Sequence, residues 1–282
     1  MKKALLIYKK SKYDIQRNSP DKYIRDYAES DDETAVASRE QHKIHKDSLE
    51  RVISDLDKSD FDYQTIYRAD FDKSKVDDHN LVIAFGGDGT FFNVAHYIYD
   101  RPLLGVNPGT SVGFYCHANS DDFHEVINSI DEQPITKVHR LELELNGKII
   151  PEQVLNDILI ADNNPAAYTY YSVEDHGDVN IKRSNGLLVA TAAGSTAWIR
   201  NLRGAVLPLE SPLIQYHHRD VNSPFFITDG LKVKSYSRQA DIYVDGDHLM
   251  YPFNLESELV IRNGKPLHII GEFTEKRRKY FD

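Results

Sequence analysis

The sequence predicts an α/β amino-terminal domain built on a parallel sheet, followed by a mostly antiparallel, β-rich carboxy-terminal domain. Residues 81–85 and 103–106 are short continuous apolar runs, each ended by a glycine or asparagine turn, as strands buried on both faces of a parallel sheet are. Beyond Pro134 the texture changes to strand signatures, with alternation at Leu141, Leu143 and Leu145 and further runs at 154–160, 168–173 and 187–190. The turn pairs Asn146-Gly147, His176-Gly177, Asp229-Gly230 and Asn263-Gly264 punctuate that region at intervals suited to an antiparallel sheet. With 282 residues the chain has room for two ordinary domains, expected over 1–135 and 136–262, with a tail over 263–282 free to return to the first.

Within the first domain, residues 4–8 form a compact apolar strand, and the stretch 9–34 is rich in Lys, Asp, Ser and Asn without periodicity, as an exposed mobile insertion is. Ile44, Leu49, Val52, Ile53 and Leu56 approximate helical spacing over 36–56, and 61–67 reads as extended. After the strand 81–85 the residues FFNVAHYIYD suit a helix. Asp121 and Asp122 open another, with Phe123, Val126, Ile127 and Ile130 on one side.

Composition bounds the function. Lys and Arg number 34 against 44 Asp and Glu, and the net charge of −10 opposes nonspecific attraction to nucleic acid or anionic lipid. There is no run of about eighteen apolar residues and no secretory leader, so a soluble protein without a membrane partner is expected. The single cysteine, Cys116, precludes an intramolecular disulfide and suits a reducing cytoplasm. The histidines lack the helical pair and third ligand of a zinc enzyme: neither His117 with His124 nor His217 with His218 has that spacing, so no protein-held metal is expected.

Residues 86–90 read GGDGT and open the predicted helix after the 81–85 strand, a Rossmann-like arrangement. Gly86, Gly87 and Gly89 let main-chain N–H groups approach a ligand, and the first helical turn offers unpaired donors and a positive dipole end, so with Thr90 the loop suits phosphate oxygens. Asp88 stands in that loop as a short acid beside phosphate. It can act as a helix N-cap or as a base within reach of a hydroxyl proton. Asn107 to Phe114, NPGTSVGF, forms a second turn at the same sheet edge, where ligands of open α/β folds gather. In LNDILI, Asn156 and Asp157 interrupt an apolar strand and call for polar partners. Gly194, Ser195, Thr196 and Ala197 make a small-residue loop. Ser195 is outside a GxSxG elbow, which argues against a nucleophilic serine.

In order and spacing, GGDGT, NPGTSVGF, LNDILI and SNGLLVATAAGSTAW resemble the motifs of NAD kinases, over roughly residues 81–250. The resemblance implies transfer of a phosphoryl group from ATP to the 2′-hydroxyl of the adenosine ribose of NAD. It makes Asp88 the base, with Asp88 and Gly89 also at the NAD, and places Phe114 against the dinucleotide. Asn156 and Asp157 would hold the adenosine, Asp157 replacing the usual glutamate. Thr196 and Ala197 would line the pocket, with Trp198 in place of the usual tyrosine. Asn185 stands where many members carry aspartate, and Asp245 with Gly246 matches the late DG segment. The Asn185 and Trp198 changes resemble the divergent, mitochondrial-type branch. Magnesium would arrive on ATP, no cofactor would stay bound, and a homodimer or homotetramer is implied. Two alternatives remain: a lipid kinase of the diacylglycerol or sphingosine type, which shares GGDGT, and a non-catalytic dinucleotide-binding sensor, motivated by Asn185, Asp157 and Trp198.

Overall fold

Residues 2–111, 113–219 and 223–279 are described by the computed structural model, and they fall into two compact units. The first comprises Met1–Val94, Asp100–Thr136 and His268–Phe273; the second comprises Ala95–Tyr99, Lys137–Leu267 and Thr274–Asp282. No helix among the described residues is long and apolar enough to cross a membrane.

The first unit opens with β1 (Lys2–Tyr8), α1 (Lys12–Arg17), α2 (Lys22–Ala28), α3 (Glu33–Asp57) and β2 (Phe61–Tyr67). It continues through β3 (Leu81–Phe85), α4 (Asp88–Ala95), β4 (Pro102–Asn107), β5 (Cys116–Asn119), α5 (Phe123–Asn128) and β6 (Ile135–Val138). The sheet runs β2-β1-β3-β4, then the late strand Leu267–Ile270, then β6, with β5 also on β4. The pairs of β1 with β2 and β3, and of β4 with β3, β5 and the late strand, are parallel. Every residue of β3 is buried, as are Ala4 to Ile7 of β1, because helices cover a parallel sheet. Leu6, Ile83, Phe85 and Val106 share a core with Val52 and Leu56 of α3 and with Phe123 and Ile127 of α5.

The stretch 9–34 is not a loop: it folds into α1 and α2. Both are too short to be stable by propensity alone, and both are held by caps. Ser11 Oγ accepts from the Asp14 N–H at 3.1 Å, and Asp21 Oδ1 accepts from the Tyr23 N–H at 2.8 Å. Tyr13 donates to Glu29, and Arg39 of α3 donates to the Ala28 carbonyl, which ties the pair to α3.

The second unit holds β7 (Leu141–Leu145), β8 (Lys148–Ile149), β9 (Asp157–Asp162), β10 (Thr169–Asp175), β11 (Asp178–Ser184) and β12 (Leu187–Ala190). After the short helix α6 (Trp198–Asn201) come β13 (Ile214–His218), β14 (Phe225–Thr228), β15 (Gly230–Ser235), β16 (Ala240–Val244), β17 (Met250–Pro252) and β18 (Glu258–Asn263). They form two sheets, β11-β10-β15-β18-β7-β8 and β14-β13-β12-β9-β16-β17, with antiparallel neighbours throughout. Alternate residues of both sheets, among them Leu143, Ile158, Ile160, Val189, Val233, Ile242 and Ile261, fill one core, the pattern of a sandwich. Asn146-Gly147 and His176-Gly177 take positive φ at both residues, as type I′ hairpins require. Asp229 and Asn263 do not, and those two turns are built differently.

Candidate functional site

In the first unit the GGDGT and NPGTSVGF segments meet. Asp88 is the first residue of α4, half-buried, and its two carboxylate oxygens accept the backbone N–H groups of Phe114 and Tyr115, each at 3.1 Å. Clamped this way, the carboxylate has a fixed orientation. Gly89 is exposed, with nothing within 4 Å of where a Cβ would stand, so a ligand's phosphate can approach its backbone. Phe114 packs edge-on against Tyr115, with ring centroids 4.8 Å apart. Val112 of this segment lies outside the described residues.

At two of the expected phosphate contacts, Gly86 and Thr90, the backbone amides have partners within the protein. The Gly86 N–H donates to the Val106 carbonyl at 2.9 Å, and the Thr90 N–H donates to the Gly87 carbonyl at 2.9 Å, so both amides are bonded within the protein. Thr90 is 2 % exposed, and its hydroxyl would lie 2.3 Å from a Cβ on Gly86. Gly86 therefore lets the threonine close beneath the loop, and Gly87 supplies the carbonyl that receives the first amides of α4.

The second unit brings Asn156, Asp157, the 191–198 loop and Asp245 together. Asn156 precedes β9, which begins at Asp157, later than the predicted strand over 154–160. The Thr191 N–H donates to the Asn156 carbonyl at 2.9 Å, and the Thr191 hydroxyl donates to the Leu155 carbonyl at 2.5 Å. Gly194 packs so closely there that a Cβ would come 2.1 Å from the Asn156 oxygen. Gly194→Ala is accordingly expected to destabilise the fold by about 1–3 kcal/mol, read by urea denaturation. An unchanged midpoint would show that the two loops can separate.

Asp245 is expected to contact a ligand by resemblance, and the structure shows what else its carboxylate holds. Its side chain is 1 % exposed, and its carboxylate accepts from the N–H groups of Leu155 at 2.7 Å, Asn156 at 2.7 Å and Asp157 at 2.9 Å. His96 Nδ1 lies 3.7 Å away. Burial pushes this carboxyl up, while His96 and the backbone donors hold it down. Asp245 takes positive φ (47°), as does Gly246 (129°), and the turn aims the carboxylate inward. Asp245 thus shapes the Asn156–Asp157 segment, and Gly246 completes the turn.

Asp157 is half-buried, and desolvation together with the Asp245 charge pushes its carboxyl up to about 7. A folded value above the unfolded one of about 4 means the native state holds a proton that the unfolded chain releases, so stability falls as pH rises between those values. Asp157→Asn, which cannot ionise, is expected to exceed the parent in stability by about 2 kcal/mol at pH 8, after allowance for solvent screening, with the gap closing towards pH 4. Urea denaturation across that range checks it, and a pH-independent gap would remove the ionisation from the account.

Asn185, Leu159, Thr169, Arg219 and Tyr243 line a cavity of about 720 Å³ in the second unit. Arg219 donates to the Asn185 carbonyl at 3.2 Å and stands 4.9 Å over the Trp198 ring, which is 39 % exposed. Asn185 and Trp198, the two departures from the common pattern, thereby share one cation. Thr196 donates to the Ala193 carbonyl at 3.4 Å, and Ala197 follows at the start of α6.

One supporting residue carries no local sequence signal. Arg277, 2 % exposed, donates to the carbonyls of Ala192 and Leu207 and to Ser195 Oγ. It holds the 192–195 loop, and Ser195, bonded to the Ala192 carbonyl and 0 % exposed, has a structural part. A basic tail gives no sign in sequence of which loop it will enter. Among the described residues, no three His, Cys, Asp or Glu gather in an arrangement able to hold a metal.

The family model for the ATP-NAD kinase N-terminal domain matches residues 8–135. The chain is 30 % identical to an NADH kinase of Arabidopsis thaliana over 263 residues, covering 80 % of this chain and 82 % of that one. It is 28 % identical to a probable NADH kinase of Oryza sativa subsp. japonica over 263 residues, covering 80 % of each. The fold is similar to that of an NAD kinase from Archaeoglobus fulgidus solved in complex with ATP, with TM-score 0.70 and 15 % identity over 99 % of this chain and 97 % of that one. It is also similar to yeast NADH kinase complexed with NADH, with TM-score 0.69 and 17 % identity over 99 % of this chain and 86 % of that one.

Proposed function

Because this chain belongs to the NAD kinase family, we propose that it transfers the terminal phosphoryl group of ATP to the 2′-hydroxyl of the adenosine ribose of NAD or NADH, giving NADP or NADPH and ADP. In the step, the ribose O2′–P bond forms as the bond from phosphorus to the oxygen bridging to ADP breaks. Asp88 accepts the hydroxyl proton, or orients it before it leaves. The observation that carries this reading is the Asp88 carboxylate fixed by the Phe114 and Tyr115 N–H groups at the head of α4. Such a clamp suits phosphoryl transfer, where the protein contributes positioning and charge compensation. Gly89 would lie at the phosphates and Phe114 against the dinucleotide. Asn156, Asp157, Thr196 and Ala197 would receive the acceptor's adenosine, and Asn185 with Trp198 its other end. Magnesium enters on ATP as part of the substrate. We further place the enzyme in the cytoplasm as a homodimer or homotetramer, which light scattering after gel filtration checks.

A coupled assay for NADP or NADPH, with NAD, NADH and diacylglycerol offered in turn beside ATP, tests the function. Product with a dinucleotide is expected. Phosphorylation of the lipid alone, or dinucleotide binding with no product, would replace this reading with a lipid kinase or a sensor.

A further inference from the structure

The second unit leaves one long strand edge uncovered. β11 ends the sheet β11-β10-β15-β18-β7-β8, and among the described residues it pairs with β10 alone, in an unbroken register from Thr169↔Ser184 to Asp175↔Asp178. It has 7 residues, whereas the other strands that end a sheet of this unit, β8, β14 and β17, have 2, 4 and 3. An edge strand presents a row of unpaired N–H and C=O groups, and folds blunt such edges by shortening them, bulging them or inserting proline. β11 shows none of these devices.

Its side chains are as unusual as its length. Tyr171 and Val173 of β10 face the core, so the alternate residues Val179, Ile181 and Arg183 of β11 lie with Glu174, Ser172 and Tyr170 on the outer face. There Val179 is 62 % exposed and Ile181 72 % exposed. Beside them stand the exposed rings of Tyr168, Tyr170 and Tyr236, with the Arg183 guanidinium 4.1 Å over the first and 5.8 Å over the second. The Tyr236 N–H donates to the Tyr170 carbonyl at 2.8 Å, which fixes the two rings side by side. A contiguous apolar patch rich in tyrosine, with an arginine in it, is the composition of a protein contact.

The order of residues in β11 suits its own copy. With a two-fold axis at Asn180, antiparallel pairing of two β11 strands sets Val179 opposite the second copy's Ile181 and Asp178 opposite its Lys182, and symmetry repeats both pairs. Lysine on an edge ordinarily guards it against pairing. Here Asp178 answers that charge, and neither Asp178 nor Lys182 has an ion-pair partner among the described residues. Moving the axis to Ile181 would set Val179 against Arg183 and Asp178 against Ser184, losing both complementary pairs. We infer that two copies of this chain join edge to edge at β11, about an axis at Asn180, so that the sheet runs from one copy into the next. The inference gives a surface to the self-association proposed above, and it needs nothing of the phosphoryl transfer.

Charge reversal tests the seam and its register. Asp178→Lys sets lysine against lysine twice, and Lys182→Asp sets aspartate against aspartate twice. Each variant alone should raise the dissociation constant at least about tenfold, read by sedimentation equilibrium, with the circular dichroism of the parent. An equimolar mixture of the two variants should recover the parent's affinity, because lysine at both positions of one chain then meets aspartate at both positions of the other. A merely structural role for either residue would not produce that rescue. Lys148→Asp on β8, at the opposite end of the same sheet, should change nothing. Variants that associate as the parent does, or a mixture no tighter than its components, would overturn the β11 seam and leave the proposed assembly to another surface. A parent that sediments as a monomer would overturn both, while the assay for NADP or NADPH would still decide the enzyme's function.

Discussion

Asp88→Asn is expected to lower turnover by about 10²–10⁴-fold, the range that a positioned acid–base group contributes, with a loss of stability of only about 1 kcal/mol and the binding of NAD nearly intact. The amide cannot take up the ribose proton. It also presents an NH₂ where the wild-type carboxylate accepts from the Phe114 and Tyr115 N–H groups at 3.1 Å each, so one of those bonds is lost. Two readouts separate these effects. Loss of the loop contact alone would raise the KM and lower the melting temperature, whereas loss of the base lowers kcat with the KM held. Steady-state kinetics beside calorimetry of NAD binding checks this, and near-normal turnover would remove Asp88 from the chemistry.

The second large effect is expected at a buried residue of a turn. Asp245→Asn should lower stability by about 3 kcal/mol and raise the KM for NAD or NADH at least about tenfold, with a smaller change in kcat. The reason is a buried carboxylate that receives three consecutive N–H groups, of Leu155, Asn156 and Asp157. No neutral side chain reproduces those charge-assisted bonds. An amide there turns one nitrogen towards donors and lets the Asn156–Asp157 segment drift. Thermal melting with kinetics at varied acceptor concentration measures both parts. A normal acceptor KM at an unchanged melting temperature would mean the segment is held by Thr191 alone.

These two residues mark what the amino-acid order discloses and what it hides. Asp88 was legible because glycines on both sides, a preceding apolar run and a following helix leave few roles for an acid, and the structure puts it at the head of α4. Asp245 was readable only as the aspartate of a turn. Its inward aim depends on a positive φ of 47° and on a segment about ninety residues away presenting three amides, a pairing that no local pattern encodes. Arg277 is hidden for the same reason, since its partners Ala192, Ser195 and Leu207 are distant in sequence.

The region 9–34 shows a different limit. Apolar periodicity is absent there, so a search for helical stripes finds nothing, yet the capping residues Ser11 and Asp21 stand at the positions that start α1 and α2. Thr90 and Gly86 show a third. Composition makes both candidate phosphate ligands and does not disclose that the threonine packs closely beneath the glycine. The strands, by contrast, were readable where burial decides them: β3 is buried throughout, and β7 alternates.

Phosphorus NMR of the product formed from ATP, magnesium and NAD tests the central claim most directly. The account predicts a new phosphate monoester resonance coupled to the 2′-proton of the adenosine ribose, absent with Asp88→Asn. Free inorganic phosphate with unchanged NAD, or a monoester at another position, would contradict it.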